Sequence, residues 1–484
     1  MSDAPITPTG PLPSGSCANS TVLGRDEERV HDLIGIGLGP FNLGLAALAD
    51  PLAAREGLDV LFLERRERFA WHPGLLLENA TLQVPFLADL VTMVDPTSRW
   101  SFLNFLRRTG RLYAFYIKED FHPLRSEYDA YCRWVAEGLA TVRFGQDVTA
   151  VERVGETFVV HTSAGARLRA RHLAIGIGTA PVLPDVLRTA AEDGARVLHA
   201  ADYLRHRESL LGLRHVCVVG SGQSAAEVYL DLLTSAAGGA QELTWLTRSP
   251  RFAAMDDSKL TLEMTSPEYG AYHRALPMAA RDRLAREQRH LYRGISRDLI
   301  AAISDEHYRQ RVGGAGPRTT LLTSTVVDDA RPLAQNGPVR LGLTHTETAA
   351  SMALTTDAVV AGTGYRPRPP DFLAPVEHLV RRDGRGRYDV AGDYSVDDAH
   401  RIFVQNAEEH THSLLAPDLG MGPHRNAVIL AAVLGREVYP VDRRVMVQTF
   451  GAAEHLRVPT GGSPPGTPVD PAARERALAP EVAR

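Results

Sequence analysis

The stretch Asp32-Leu-Ile-Gly-Ile-Gly37-Leu-Gly39-Pro40-Phe41-Asn42-Leu-Gly44 decides the fold. Its first half is a short apolar run, as a buried parallel strand requires, and its second half opens a helix rich in Ala and Leu. Gly37 permits a tight turn out of the strand, and Gly39 lets the backbone come close to a pyrophosphate. Pro40 suits the first helical position, where free N–H groups and the positive end of the dipole favour an anion. Phe41 follows, and Asn42 stands at the third glycine position of such a turn. The next apolar run, Val60–Leu63, is closed by Glu64, 25 residues after Gly39, where a carboxylate can accept hydrogen bonds from an adenosine ribose. An acidic strand end disfavours a 2′-phosphate, so this unit suits FAD or NAD.

A second unit of the same kind begins at Val216-Cys-Val-Val-Gly220-Ser-Gly222-Gln223-Ser224-Ala-Ala-Glu227. Its next strand, Leu243–Thr247, is followed by Arg248, 26 residues after Gly222, with Ser249 and Arg251 beside it. A guanidinium at that point can fork onto a 2′-phosphate, which selects NADPH over NADH. The contrast between the two strand ends assigns FAD to the first unit and NADPH to the second. Two shorter segments, His172-Leu-Ala-Ile-Gly176-Ile-Gly178 and Asp357-Ala-Val-Val-Ala-Gly362-Thr363-Gly364-Tyr365, read as the crossings between two such units.

The predicted fold is therefore α/β, a two-dinucleotide-binding-domain flavoprotein with a small helical substrate-binding region. The FAD domain covers 31–210 and 356–450, and the NADPH domain, 211–355, is inserted in it. Proline-rich stretches without apolar periodicity predict disordered tails over 1–30 and 451–484. Buried strands are expected at Leu33–Ile36, Val60–Leu63, His172–Ile175, Val216–Val219, Leu243–Leu246, Ala358–Ala361 and Ile402–Gln405.

Composition narrows the chemistry. A net charge of −5 over 484 residues, without a basic stripe, argues against a nucleic-acid partner. Cys17, Cys132 and Cys217 are isolated, so a disulfide framework, a cysteine zinc site and dithiol chemistry are not expected. The 18 histidines show no metal-ligand spacing, and no metal is predicted. No apolar run is long enough to span a membrane, and the first 30 residues lack the pattern of a signal peptide, so a cytoplasmic location is expected. Of the 53 basic residues only Lys118 and Lys259 are lysines; arginine is this chain's ordinary cation.

An FAD site with an NADPH site allows a disulfide reductase, an electron-transfer reductase or a monooxygenase, and the first lacks its CxxC. Several further stretches then become informative: Phe69-Ala-Trp71-His72-Pro-Gly74, Leu82-Gln83-Val-Pro-Phe-Leu-Ala88-Asp89-Leu-Val91, Asp95–Ser98, Ser101–Leu106 and His410-Thr-His412. With the two glycine turns, they make the chain resemble the flavin-dependent N-hydroxylating monooxygenases of siderophore biosynthesis. The resemblance implies that NADPH reduces FAD, that the reduced flavin and O₂ form a C4a-hydroperoxide, and that an uncharged primary amine attacks its distal oxygen. It also implies that Trp71, His72 and Gln83 lie along the isoalloxazine as the catalytic group, with the Gln83 amide steadying the peroxide. Thr363, Gly364 and Tyr365, together with Leu419 and Gly420, complete the cofactor contacts. Relatives of this kind form dimers or tetramers, so a homo-oligomer is expected.

The departures from the family pattern bear on the amine. Where amino-acid hydroxylases carry a lysine that pairs with the substrate carboxylate, this chain has Ala88. Leu262 and Leu291 stand where asparagines contact an amino-acid backbone. Burying a carboxylate without those partners would cost several kcal/mol, about the desolvation penalty of an unpaired ion. The substrate expected from these changes is a small aliphatic diamine, cadaverine or putrescine, used with O₂. Its distal ammonium needs an anion, for which Glu263, Asp418 and Glu409 are the candidates. Gly420, in Pro417-Asp418-Leu419-Gly420, replaces a serine of the ornithine enzymes. The alternatives are an L-lysine N6- or L-ornithine N5-monooxygenase and a non-catalytic flavin redox sensor. A Baeyer–Villiger enzyme would want an FxGxxxHxxx motif that Gly194 and His199–Tyr203 miss by one residue.

Overall fold

The computed structural model describes residues 29–235, 241–314, 316–453 and 456. The predicted terminal tails lie almost wholly outside the described residues.

The first glycine turn begins where the sequence places it. Strand Val30–Ile36 lies between Val60–Leu63 and Arg167–Ile175, parallel to both, with Leu33 opposite Val60 and His172. This seven-stranded sheet continues through Val142–Arg143 on one side and the antiparallel strands Thr157–Thr162 and Val148–Val154 on the other. Ile402–Val404 joins it beside Arg167–Ile175, so the chain returns to its first sheet after the second unit. Leu33, Ile34, Phe62, Leu173 and Phe403 are fully buried in its core, as their near-continuous apolar strands require. Helix Pro40–Glu56 follows the turn, with Pro40 at its start and Gly57 closing it at φ 68°.

The second sheet has five parallel strands in the order Arg318–Leu322, Glu242–Leu246, His215–Val219, Ala358–Ala361, Val197–His199. Two of these, Val197–His199 and Ala358–Ala361, lie on the first-domain side of the expected boundaries at 211 and 356. Their backbones hydrogen-bond into the second sheet because the chain enters and leaves this unit along neighbouring strands. A three-stranded antiparallel sheet of Thr325–Pro332, Val339–His345 and Ser351–Thr356 packs against it. The two crossings meet as an antiparallel ribbon, Thr179–Pro181 against Tyr365–Pro367. Short helices between Lys259 and Glu287 make the additional helical region. It packs on the segment 409–421, where His273 Nδ1 lies 3.1 Å from the Thr411 carbonyl oxygen and Gly270 leaves room for Leu415.

Candidate active site between two nucleotide turns

At the first turn, Gly37 has φ 84°, and a Cβ on it would strike the Gly176 carbonyl. A Cβ on Gly39 would meet nothing within 4 Å: the backbone there faces open space, as a turn that cradles a pyrophosphate must. The Glu64 carboxylate accepts from Leu38 N at 2.9 Å and Arg66 N at 3.0 Å, which fixes it at the lip of this turn. Asn42 departs from the expectation for its side chain. It is fully buried and turned into the sheet, donating to the carbonyls of Gly37 at 2.7 Å and Ala174 at 3.2 Å and accepting from Gln405. It braces the turn and leaves only its backbone to face a ligand.

A small pocket at the start of this helix is lined by Pro40, Phe41, Asp89, Leu90, Leu419 and Asn426. The Phe41 ring is held under the Arg425 guanidinium at 4.6 Å, and the Phe41 carbonyl accepts from Asn426 at 3.1 Å. Arg425 is itself buried against Glu408 at 2.9 Å and donates to the carbonyls of Leu415 and Ala416. Burial pushes the Asp89 carboxyl above the usual range, while Val91, Thr92 and Phe102 backbone N–H groups all point at it.

Beside the pocket, the Trp71 indole packs edge-on against His72 (5.0 Å) and Tyr128 (5.2 Å), and its N–H of the main chain donates to Asp129. His72 has φ 46° and is exposed. Desolvation by the surrounding protein, with Arg125 and Arg66 nearby, pushes its ring down to about 4. It is a neutral imidazole at physiological pH. Gln83 is exposed on the same segment, its amide free of protein partners among the described residues.

The second turn repeats the first. Gly220 has φ 134° beneath the Gly362 carbonyl, and a Cβ on Gly222 would reach only the Arg293 carbonyl at 3.9 Å. Arg248 is exposed beyond the strand end, and the Ser221 and Ser249 hydroxyls lie 3.1 Å apart between it and the turn. Ser224 is half-buried in the first turn of the helix. The Gln223 side chain, expected at the cofactor, is instead occupied: it donates to Glu227 and accepts from Ser296 N, both at 2.9 Å. The Thr363 hydroxyl is likewise occupied, donating to Val182 O at 2.5 Å, and the Gly364 carbonyl accepts from Val182 N. Both fasten the crossing ribbon. Tyr365 stands between His72 (5.8 Å) and His199 (5.1 Å), its hydroxyl buried without a protein partner, and burial pushes its pKa up to about 12.

The substrate candidates separate. Ala88 and Asp418 converge on Gly420: a Cβ there would stand 3.6 Å from the Ala88 methyl and 3.0 Å from Asp418 Oδ1. Asp418 accepts from Met421 N at 3.0 Å, and desolvation raises its carboxyl above the usual range. Glu409 is occupied, held by Tyr292 and by Arg293 at 2.7 Å. Glu263 is also occupied: it is tied to the C-terminal segment, accepting from Gln448 N and Nε2 at 2.9 and 3.0 Å. The chain brings Val445, Met446 and Gln448 onto Glu268 and Glu263, which spends both carboxylates on backbone N–H groups. Leu262, carried by the helical region, is exposed, and Leu291, just beyond it, is half-buried. Among the described residues no group of three or more His, Cys, Asp or Glu is placed to hold a metal ion.

Two turns of this geometry thus lie on one chain, joined by two crossings. The model of the L-lysine 6-monooxygenase/L-ornithine 5-monooxygenase family matches residues 29–367. The chain belongs to that family. Within it, the chain is 43% identical over 434 residues to a putrescine N-hydroxylase of Shewanella oneidensis, covering 88% of this chain and 85% of that one. Among solved structures, the FAD-bound cadaverine monooxygenase DfoA of the desferrioxamine pathway in Erwinia amylovora superposes with a TM-score of 0.83 at 43% identity. That match covers 88% of this monooxygenase and 99% of DfoA. The ornithine N-hydroxylase KtzI of Kutzneria sp. 744, solved with reduced FAD, NADP⁺ and L-ornithine, is more distant: TM-score 0.74 at 28% identity, over 84% of this chain and 99% of that one.

Proposed function

We propose that this monooxygenase N-hydroxylates one primary amine of a small aliphatic diamine, cadaverine or putrescine, with FAD, NADPH and O₂, supplying a hydroxamate siderophore pathway. Support for the cofactors comes from the two open glycine turns, which fit two dinucleotides. Gly37, Gly39, Pro40 and the Phe41 and Asn42 backbone hold the FAD pyrophosphate, with Glu64 at the ribose; Gly220, Gly222 and Ser224 hold that of NADPH, with Arg248 at the 2′-phosphate. When bound, FAD reduced by NADPH activates O₂ so that one oxygen atom passes to the amine nitrogen. On this reading Trp71, His72, Gln83 and Tyr365 lie along the flavin, the His72 ring being in edge contact with those of Trp71 and Tyr365. His72 is neutral there, so it adds no second cation to a site that must bind an ammonium and release its proton.

The observation that carries the substrate is the meeting of Ala88, Gly420 and Asp418. A carboxylate stands where an amino acid would present its own, and the lysine that would neutralise both is absent. The nearest strong cation to Asp418, Arg425, is spent on Glu408 and two carbonyls. An α-carboxylate would meet repulsion; a distal ammonium would meet a counter-ion already desolvated. The names of the putrescine and cadaverine relatives agree with this. We place the enzyme in the cytoplasm, where NADPH is regenerated, as a homo-oligomer whose state sedimentation would measure. The decisive experiment scores hydroxylamine formation, not NADPH loss, across cadaverine, putrescine, lysine and ornithine. The diamines should exceed the amino acids by well over tenfold in kcat/KM, about the discrimination expected when a charge is left unpaired; equal turnover of ornithine would overturn the reading.

A further inference from the structure

We propose that Arg125 and Glu227 are positioning residues that hold the two nucleotide-binding units in one orientation and thereby set the register in which the nicotinamide meets the flavin. Arg125 opens helix Arg125–Gly138, on the first unit; Glu227 lies near the start of helix Gln223–Ser235, on the second. Their side chains form a fork: Nη2 donates to Oε1 at 2.7 Å and Nη1 to Oε2 at 2.8 Å, with only 12% and 5% of the two side chains exposed. A desolvated bidentate pair is orientation-specific in a way that a screened surface pair is not.

The pair is the centre of a network that reaches the short turn after His72 and the second glycine turn. Arg125 Nη1 also donates to the Leu75 carbonyl at 3.3 Å, in the short turn that follows His72. Glu227 Oε1 also accepts from Gln223 beside Gly222, and Gln223 in turn accepts from Ser296 N at the start of helix Arg297–Gly313. The turn after His72 is gripped a second way. Leu75 belongs to the first unit by sequence yet is buried in the core of the second, with Val216, Val218 and Ala225. A Cβ on Gly74 would stand 1.9 Å from the Ala201 carbonyl, so only glycine allows this close approach. Arg125 and Glu227 therefore reach the cofactor sites only through neighbours, His72 on one side and Gly222 on the other.

Transfer between two bound rings depends steeply on their separation, and a misplacement of about 1 Å can cost about 100-fold in rate. A desolvated fork between the units resists such a shift. This inference rests on the reading of the chain as an FAD- and NADPH-dependent enzyme and is independent of which amine it uses.

The test uses the full-length, FAD-loaded protein, comparing wild type with Glu227→Gln, which keeps the shape and removes the charge, and Arg125→Lys, which keeps the charge and removes the fork. Three quantities are read: amide exchange of the 72–77 peptide, the rate of anaerobic flavin reduction per bound FAD at saturating NADPH, and KM for the amine. In Glu227→Gln we expect exchange at 72–77 to rise and reduction to slow, each by about tenfold or more, with KM for the amine within about twofold. Arg125→Lys should fall between. Exchange and reduction rates equal to wild type would overturn the proposal, and so would loss of FAD from both variants, which would make the pair a folding element only. A wild-type protein that bound no FAD or left NADPH unoxidised would remove the functional reading instead.

Discussion

Gln405 donates from Nε2 to Oδ1 of Asn42 at 2.7 Å, joining the strand that returns late in the chain to the first helix after the first turn. Asn42 passes the connection on to the Gly37, Ile36 and Ala174 carbonyls. In this chain the third position of the glycine turn does not bring helix and strand close by being small. It bridges them with an amide whose oxygen and nitrogen both have partners.

Asn42→Ala should accordingly destabilise the protein by about 2–4 kcal/mol, because several buried carbonyls and the Gln405 amide lose their partner. Asn42→Gly, which restores the common motif, should do no better. Thermal melts with and without added FAD would check this; a glycine variant as stable as wild type would contradict the bracing role.

Asp418→Asn should separate binding from stability. Burial raises the Asp418 carboxyl, so the folded, amine-free protein holds that proton more tightly than the unfolded chain. Its contribution is favourable at low pH and is lost as pH rises through the raised value. Above that raised value the ionised carboxylate is a cost that the amine's ammonium offsets on binding. Asparagine keeps an acceptor for Met421 N–H without the charge. The amine-free variant should melt at or above the wild-type temperature, while KM for the diamine rises about 10–100-fold, the loss of one desolvated charge pair. The acid limb of kcat/KM set by this carboxyl should disappear. Ala88→Lys, which brings an ammonium to the same point, should lower diamine turnover in parallel.

Both glycine turns, the seven expected strands and the unlike strand ends at Glu64 and Arg248 were legible in the sequence, since turn geometry and strand burial are local demands. Contacts between distant segments were not. Asn42 and Gln223 carry motif positions, yet their side chains serve Gln405 and Ser296, which no local spacing ties to them. Arg125 sits at an ordinary helix start, in a chain full of arginine, and its partner lies 102 residues away. The acidic candidates show the same limit: Glu263, Glu409 and Asp418 look alike as residues, and only the fold shows that the first two are occupied.

Glu263→Gln is therefore expected to leave KM for the amine within about twofold, the range of a surface change. What should change is the hold on the C-terminal segment, where Glu263 accepts from Gln448 and Glu268 from Val445 and Met446. Limited proteolysis around 443–450 should be faster in a Glu263→Gln, Glu268→Gln double variant. A large rise in KM for the single variant would return Glu263 to the substrate site.

The histidines supply a pH test with the opposite sign to Asp418. Burial, aided by Arg425 and Arg274, pushes His412 down to about 3, and burial likewise pushes His424 to about 4. The unfolded chain protonates these rings near 6.5, whereas the fold keeps them neutral. The stability they contribute is complete above about 6.5 and is lost as pH falls toward their folded values. Buried Glu408 and half-buried Asp418, with raised carboxyls, favour the fold in that same acid range, so the total curve does not isolate either effect. A variant comparison does. His412 stacks on Tyr394 at 4.7 Å, and His412→Phe keeps a ring there while removing the titration. The difference in urea midpoint between variant and wild type should shift in favour of phenylalanine as pH falls from 7 to 5. A difference independent of pH would show that His412 titrates in the folded protein as it does in the unfolded chain, against the burial that surrounds it.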